Sequence, residues 1–390
     1  MSSVIPAFNN HLPVRIQFGD GVANQLADVA KQLQAQRALV IIDEGLEENN
    51  PGVAESLQTL QEAGLEPQRY VKAPGEPSTE VVDAVSAAVT ASGADVVIAV
   101  GGGSVIDAAK AGRLCAQHGC AFKDLGALAD RYPEPEIPLI AVPTTAGTGS
   151  EVSGGAVISD KAAGTKTGIA NANLRPQYAL VDPLLTHSLP AQMTAYTGID
   201  ALAQAMAGMI AKVRTPIGDA IALEAIRLGG RSLVTACREG ADAAARSEMA
   251  CASLMAGLTM NISDCTAEHS LGQAIGGMFG VPHGLTIGLV LAETLDRERA
   301  WAPEQLERIA DALGVPADGS ADGSRAVRGV QEILAALDFP VLGSVGVRES
   351  DLDQLTELAM ADFFITQSPH PWSTAEVRTA FTAALAVTQR

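Results

Sequence analysis

The sequence predicts an α/β domain built on a parallel sheet, followed by an all-helical domain. Three observations carry this. Short apolar, β-branched runs alternate with helix-period segments through the first half. Two of those runs, Ala94–Val100 and Pro138–Pro143, feed directly into glycine-rich turns. Beyond about Ser188, long Ala- and Leu-rich helical patterns follow one another with no strand signal of comparable strength.

In order, Val14–Gly19 alternates like a strand and Gly21–Gln34 has a helical period. Arg37–Asp43 is the first core strand, and it ends in a carboxylate. Helices over Gly52–Ala63 and Ser78–Ser92 flank a strand near Pro67–Val71. Ala94–Val100 then enters Gly101-Gly102-Gly103-Ser104, from which a helix continues through Lys110. Three glycines permit positive φ and close approach of a ligand to the main chain. The first helical turn offers unpaired N–H groups and the positive end of a dipole, an anion seat suited to a pyrophosphate.

A connection rich in proline and charge, Asp130–Glu136, leads to Pro138–Pro143 and the second turn, Thr144-Thr145-Ala146-Gly147-Thr148-Gly149-Ser150-Glu151. Glycine turns at the ends of two buried strands read as opposite lips of a nucleotide crevice. Val157–Asp160 and Thr165–Ile169 are strand pieces around a loop, and Ala179–Pro183 is the last strand. The expected division is a dinucleotide-binding domain over residues 1–184 and a helical metal and substrate domain over 185–390. The helical patterns of the second part include Ala191–Ile210, Ile217–Ala236, Ala243–Asn261, Ala267–Gly277, Pro303–Leu313 and Ser324–Leu337.

Composition narrows the function classes. The 390 residues are 47% hydrophobic and 4% aromatic, enough for a large core, and the formal charge of −19 disfavours nucleic acid and anionic membrane as partners. Five scattered cysteines without a CxxC pair suggest neither a disulfide framework nor a thiolate zinc site, and fit reduced thiols in a cytoplasm. No basic region followed by an apolar run opens the sequence, and no apolar stretch approaches the ~18 to 20 residues of a membrane span.

Helix periodicity sets Asp200 and Gln204 on one face, a turn apart, and does the same for His269 and Gln273. Val281-Pro282-His283-Gly284 reads as a tight turn supplying a third point. A carboxylate and two imidazoles from separate elements form a plausible N/O site for Fe(II), Zn(II) or another first-row divalent ion. Asp264 and Glu268 flank these residues and read as helix surface or as support for the site. An acidic group just past a strand of a dinucleotide fold, as Asp43 is, can accept hydrogen bonds from ribose hydroxyls and would repel a 2′-phosphate; the alternative for Asp43 is a helix or turn cap.

GGGSVIDAAK and PTTAGTGSE together resemble the two cofactor-binding motifs of the iron-containing (group III) alcohol dehydrogenase family, and the resemblance extends over nearly the whole chain. It implies the dehydroquinate synthase-like fold of that family, with NAD held by Asp43, Gly101, Gly102, Gly103, Ser104, Asp107, Thr144, Thr145, Gly147, Thr148, Ser150 and Lys166. It carries Asp200, His269 and His283 over as metal ligands. Gln204 stands where the family has a ligand histidine, leaving an amide oxygen or a water to complete the shell. Gln273 stands where the family commonly has a catalytic histidine.

The implied activity is NAD(H)-dependent interconversion of a small alcohol and its aldehyde or ketone. The metal on Asp200, Gln204, His269 and His283 would polarise the substrate oxygen, and His269, His283 and Gln273 would be the catalytic side chains. The nicotinamide would point into a cleft between the domains, and a homodimer or larger assembly is expected. The loss of two histidines keeps open a metal-independent reductase resembling the maleylacetate reductases, and a non-catalytic nucleotide-binding relative.

Overall fold

The computed structural model describes residues 7–125, 132, 134–160 and 165–387. Asp130, Arg131 and Pro133 of the expected connection, and the first six residues of the N-terminus, lie outside that set. The chain separates into two compact units, Leu12–Leu189 and, with the described residues ahead of Leu12, Pro190–Arg390.

The first unit holds strands β1 Arg15–Phe18, β2 Ala38–Asp43, β3 Gln68–Lys72, β4 Val96–Gly101, β5 Leu139–Pro143, β6 Gly155–Asp160, β7 Thr165–Ala170 and β8 Tyr178–Val181. Its longer helices are α1 Leu26–Gln32, α2 Pro51–Glu62, α3 Thr79–Ser92 and α4 Gly103–His118. Six strands form one sheet in the order β1-β8-β5-β4-β2-β3, with every neighbouring pair parallel, while β6 and β7 form a separate antiparallel hairpin.

The β-branched runs become central strands because a parallel sheet is covered on both faces and each strand must be apolar on both sides. Val40 and Ile42 face a core shared with Leu26, Val29, Leu57 and Leu60; Leu39 and Ile41 face the opposite core with Val85, Val89, Val105 and Ile106. Each such side chain contributes about 1.5–3 kcal/mol when fully buried. Local signals set the helix ends. Asn50 accepts from Val53 N ahead of Pro51, Ser78 accepts from Val81 N, and Gly93 and Gly119 stop α3 and α4 in the left-handed region.

The second unit is helical: α5 Ala191–Ile210, α6 Pro216–Arg238, α7 Ala243–Ser263, α8 Ala267–Phe279, α9 His283–Glu298, α10 Pro303–Ala312, α11 Ser324–Ala336, α12 Leu352–Ala361 and α13 Thr374–Ala386. None of the described helices is long and apolar enough to cross a membrane.

Two expectations need correction. The Pro282–Gly284 turn is the start of α9, with Pro282 as its N-cap; proline suits a helix entry, where no backbone N–H is required of it. The expected last strand stops at Val181, because the Asp182 side chain accepts from Leu184 N and opens a 3-10 turn over Pro183–Thr186. In addition, α9, α12 and α13 were absent from the helical patterns read in the sequence.

Candidate active site

In the first unit the glycine turns meet. Gly101 ends β4 at φ 155°, a conformation open to glycine, and Gly102 is an N-cap without a side chain to cap α4. The amides of that first turn are therefore left without a side-chain acceptor. The second turn lies directly against the first: Thr144 N donates to Gly101 O at 3.0 Å, and a Cβ on Gly103 would come within 2.5 Å of Thr148 Oγ1. Thr145 packs likewise beside Gly102.

Asp107 and Ser150 bond each other, Ser150 Oγ donating to Asp107 Oδ1 at 2.5 Å, while Asp107 Oδ2 accepts from Val157 N at 2.9 Å. Their polar atoms thus tie α4 to the second turn and to β6. Buried Lys110 completes the tie, donating to Ser150 Oγ, Ser153 Oγ and Gly155 O at 2.8, 3.1 and 2.8 Å. Burial lowers its pKa to about 8, and raises that of nearby Glu151 to about 7. Lys166, on β7, lies 3.4 Å from Glu76. Asp43 pairs with Lys72 at 2.8 Å. Burial raises the pKa of Asp43, and the Lys72 ammonium opposes the shift.

In the second unit Asp200, His269 and His283 converge, and their ligand-type atoms all lie within 4.8 Å of one another. His269 Nε2 is 3.5 Å and His283 Nε2 3.7 Å from Asp200 Oδ1. The approach depends on Gly284, since a Cβ there would sit 2.2 Å from Tyr196 O; without one, the first turn of α9 reaches the backbone of α5 and delivers His283 to Asp200.

Gln204, one turn past Asp200, is buried beside it. Asp200 Oδ1, Gln204 Oε1 and His269 Nε2 are all buried without a hydrogen-bond partner among the described residues. Unpartnered polar atoms are costly away from water. A carboxylate oxygen, an amide oxygen and an imidazole nitrogen, beside His283, are a donor set suited to a first-row divalent cation. The residues fit the metal.

Charge supports the same reading. Burial pushes the Asp200 carboxyl up, but His283, His269 and Gln204 outweigh it and hold the group below the usual carboxylate range. Glu268, read from sequence as surface or support, is buried and organises His269. Its Oε1 lies 2.7 Å from His269 Nδ1 and accepts from Thr266 N at 3.1 Å, while its Oε2 accepts from Thr266 Oγ1. The carboxylate therefore caps α8 from within and fixes the His269 ring through Nδ1, with Nε2 turned toward Asp200. Burial disfavours the charged ring, but Cys265, Asp200 and Glu268 outweigh it and raise the His269 pKa well above the ordinary imidazole value, so in the metal-free protein the ring favours its protonated form. Asp264, the C-cap of α7, is more than a surface residue: it has φ 59°, ψ 177°, a strained conformation that turns the chain into Thr266.

Gln273 follows one turn after His269 and is also buried. Sequence reasoning missed Phe364, whose ring meets His269 edge to face at 5.7 Å. Its segment is fastened to α8 by Asp362, which accepts from Ser270 Oγ at 2.6 Å and from Phe364 N at 2.9 Å. The signal available was a pair of adjacent phenylalanines in a chain poor in aromatics.

Known proteins carry the same two-part organisation. Residues 13–183 match the family described as iron-containing alcohol dehydrogenase, and residues 194–385 match its C-terminal family, Fe-containing alcohol dehydrogenase family, C-terminal. The NAD-dependent methanol dehydrogenase of Bacillus methanolicus is 31% identical over 367 residues, 93% of this chain and 95% of that protein. The 1,3-propanediol dehydrogenase of Citrobacter freundii is 31% identical over 371 residues, again 93% and 95%. Among solved structures, sulfoacetaldehyde reductase from Bifidobacterium kashiwanohense in complex with NAD+ superposes with a TM-score of 0.88 at 25% identity, covering 98% of this chain and all of that one.

Proposed function

Because the chain belongs to the iron-containing alcohol dehydrogenase family, we propose that Asp200, Gln204, His269 and His283 hold the divalent cation of an NAD-dependent alcohol dehydrogenase, and that the Gly101–Ser104 turn receives the dinucleotide. The enzyme interconverts an alcohol and its aldehyde with NAD and a metal. The finer reading is a small primary or secondary alcohol as substrate and Fe(II) or Zn(II) as the ion. The single observation that carries the metal assignment is the set of buried, unpartnered donor atoms on Asp200, Gln204 and His269 beside His283.

When bound, the cation supplies Lewis acidity to the substrate oxygen and the nicotinamide supplies or accepts the hydride. The protein's residues prepare both. Asp200 contributes a carboxylate held ionised by its neighbours. Glu268 fixes the His269 ring through Nδ1, so that Nε2 is the nitrogen that would meet the cation, which would displace its proton. Gln204 offers a neutral oxygen where the family has an imidazole, so this donor set is harder and holds the ion less tightly. Gln273 can orient a hydroxyl or a water but has no titratable group, so the proton leaves by another route. In the first unit, the uncapped amides of α4 suit a pyrophosphate, Asp43 suits the ribose hydroxyls, and Lys166 is the cation near the nicotinamide ribose. Asp107, Ser150, Thr144, Thr145 and Thr148 hold the two turns together, and Gly147 is carried over from the family motif.

The test combines metal analysis of protein purified without added ions with NADH formation over a panel of short-chain alcohols. Asp200→Ala should lose bound metal and turnover while keeping NADH affinity. Turnover that survives both chelation and Asp200→Ala would overturn the metal assignment.

A further inference from the structure

Asp43 and Lys72 occupy facing positions at the ends of two neighbouring parallel strands, where the register of β2 and β3 pairs them directly. Lys72 Nζ lies 2.8 Å from Asp43 Oδ1 and also donates to Ala73 O at 2.9 Å and Gly75 O at 2.8 Å. All three ammonium protons are thereby used. The two side chains differ in access, 1% exposed for Lys72 and 28% for Asp43. The sealed cation grips one oxygen of a carboxylate that still reaches solvent. Asp43 Oδ2 is directed at the glycine turn, since a Cβ on Gly101 would lie 3.3 Å from it.

We propose that Lys72 is a positioning residue for the cofactor's adenosine ribose: it fixes Asp43 so that Oδ2 meets the ribose hydroxyls, and it keeps the carboxylate charged against a 2′-phosphate. The inference rests on the dinucleotide reading given above. Burial alone favours the protonated acid at position 43, and the Lys72 ammonium is the group opposing it. Without that amine the carboxyl is free to rotate and its pKa moves further up, so it loses its aimed hold on two hydroxyls and its directed repulsion of phosphate.

The same geometry makes Lys72 a latent anion-binding group. If Asp43 is replaced by a short neutral residue, the ammonium retains its two carbonyl acceptors but loses its counter-ion. One N–H and an unbalanced positive charge are then available to a phosphate monoester. The NADP tolerance gained by removing Asp43 should therefore depend on Lys72.

Nucleotide fluorescence measures this directly, as the Kd values of NADH and NADPH for the native enzyme, Lys72→Met, Asp43→Ser and the double variant at fixed salt. Lys72→Met should weaken NADH about tenfold and narrow the NADH-to-NADPH preference, the scale expected for one charge-assisted hydrogen bond. Asp43→Ser should bind NADPH about tenfold better than the native enzyme, and the double variant should lose that gain. An unchanged preference in Lys72→Met, or a gain in Asp43→Ser that survives intact in the double variant, would overturn the proposal. Should Lys72→Met not fold, Lys72→Gln replaces it in both comparisons. A native enzyme that binds neither nucleotide would overturn the dinucleotide reading, and this inference with it.

Discussion

Glu268 Oε1 stands 2.7 Å from Nδ1 of His269, although consecutive residues on a helix ordinarily point apart. The contact exists because Glu268 turns back to the start of α8, where it takes both the N–H and the hydroxyl of Thr266. One carboxylate therefore sets a helix terminus and the ring orientation of a proposed ligand. Glu268→Gln keeps an acceptor for Nδ1–H but removes the charge that raises the basicity of Nε2. Metal affinity should fall about 10- to 100-fold, with little change in melting temperature, as read by competition with a chromogenic chelator.

Gln204 offers an amide oxygen where an imidazole would bind a first-row metal more tightly. Its Oε1 is buried without a partner among the described residues, so the position already faces the donor cluster. Gln204→His should raise the metal retained after dialysis against a chelator, with Kd tightened at least about tenfold. Gln204→Leu should lower it. Equal metal content in all three proteins would show that position 204 does not contribute a ligand.

The nucleotide half was legible because its signals are local. Val96–Val100 is apolar at every position, as a strand covered on two faces must be, and three glycines follow it. Sheet order is not local, so nothing in the sequence showed that Lys72 would stand opposite Asp43. In the helical half, i, i+4 spacing joins Asp200 to Gln204 and His269 to Gln273, and the family resemblance carries Asp200, His269 and His283 over as ligands. Proline and glycine on either side of His283 suggested a turn, yet proline at an N-cap and a glycine pressed on a neighbouring backbone are equally consistent with a helix start. The apolar repeat from Leu285 to Leu295 was the discriminating signal. Glu268 was hidden because its role depends on a side chain folding back along its own helix.

Gly284 is a steric requirement of the Asp200, His269 and His283 cluster. A Cβ at this position would lie 2.2 Å from Tyr196 O and 2.7 Å from its carbonyl carbon, so α9 must withdraw from α5. Gly284→Ala should destabilise the protein by about 1–3 kcal/mol through overpacking. It should also weaken metal binding more than NADH binding, because the displaced element begins with His283. Denaturant titration of the metal-free protein, paired with metal and NADH titrations, separates the two effects.

Glu298 carries a pH dependence of its own, set first by burial, with the Glu268 carboxylate adding to the upward shift. It is buried and accepts from Trp372 Nε1 at 2.8 Å. Burial raises its pKa to about 7 from an ordinary 4.5, with the Trp372 indole pulling the other way. The folded state therefore keeps a proton over a range in which the unfolded chain has released it. This contribution to stability is fully present below pH 4.5 and is lost as pH rises through about 7. Glu298→Gln retains the acceptor for Trp372 and removes the titration. The stability difference between native and variant protein should then shift by on the order of 2 kcal/mol across this window, measured by urea unfolding at pH steps. A constant difference would mean that Glu298 titrates alike in the folded and unfolded chains.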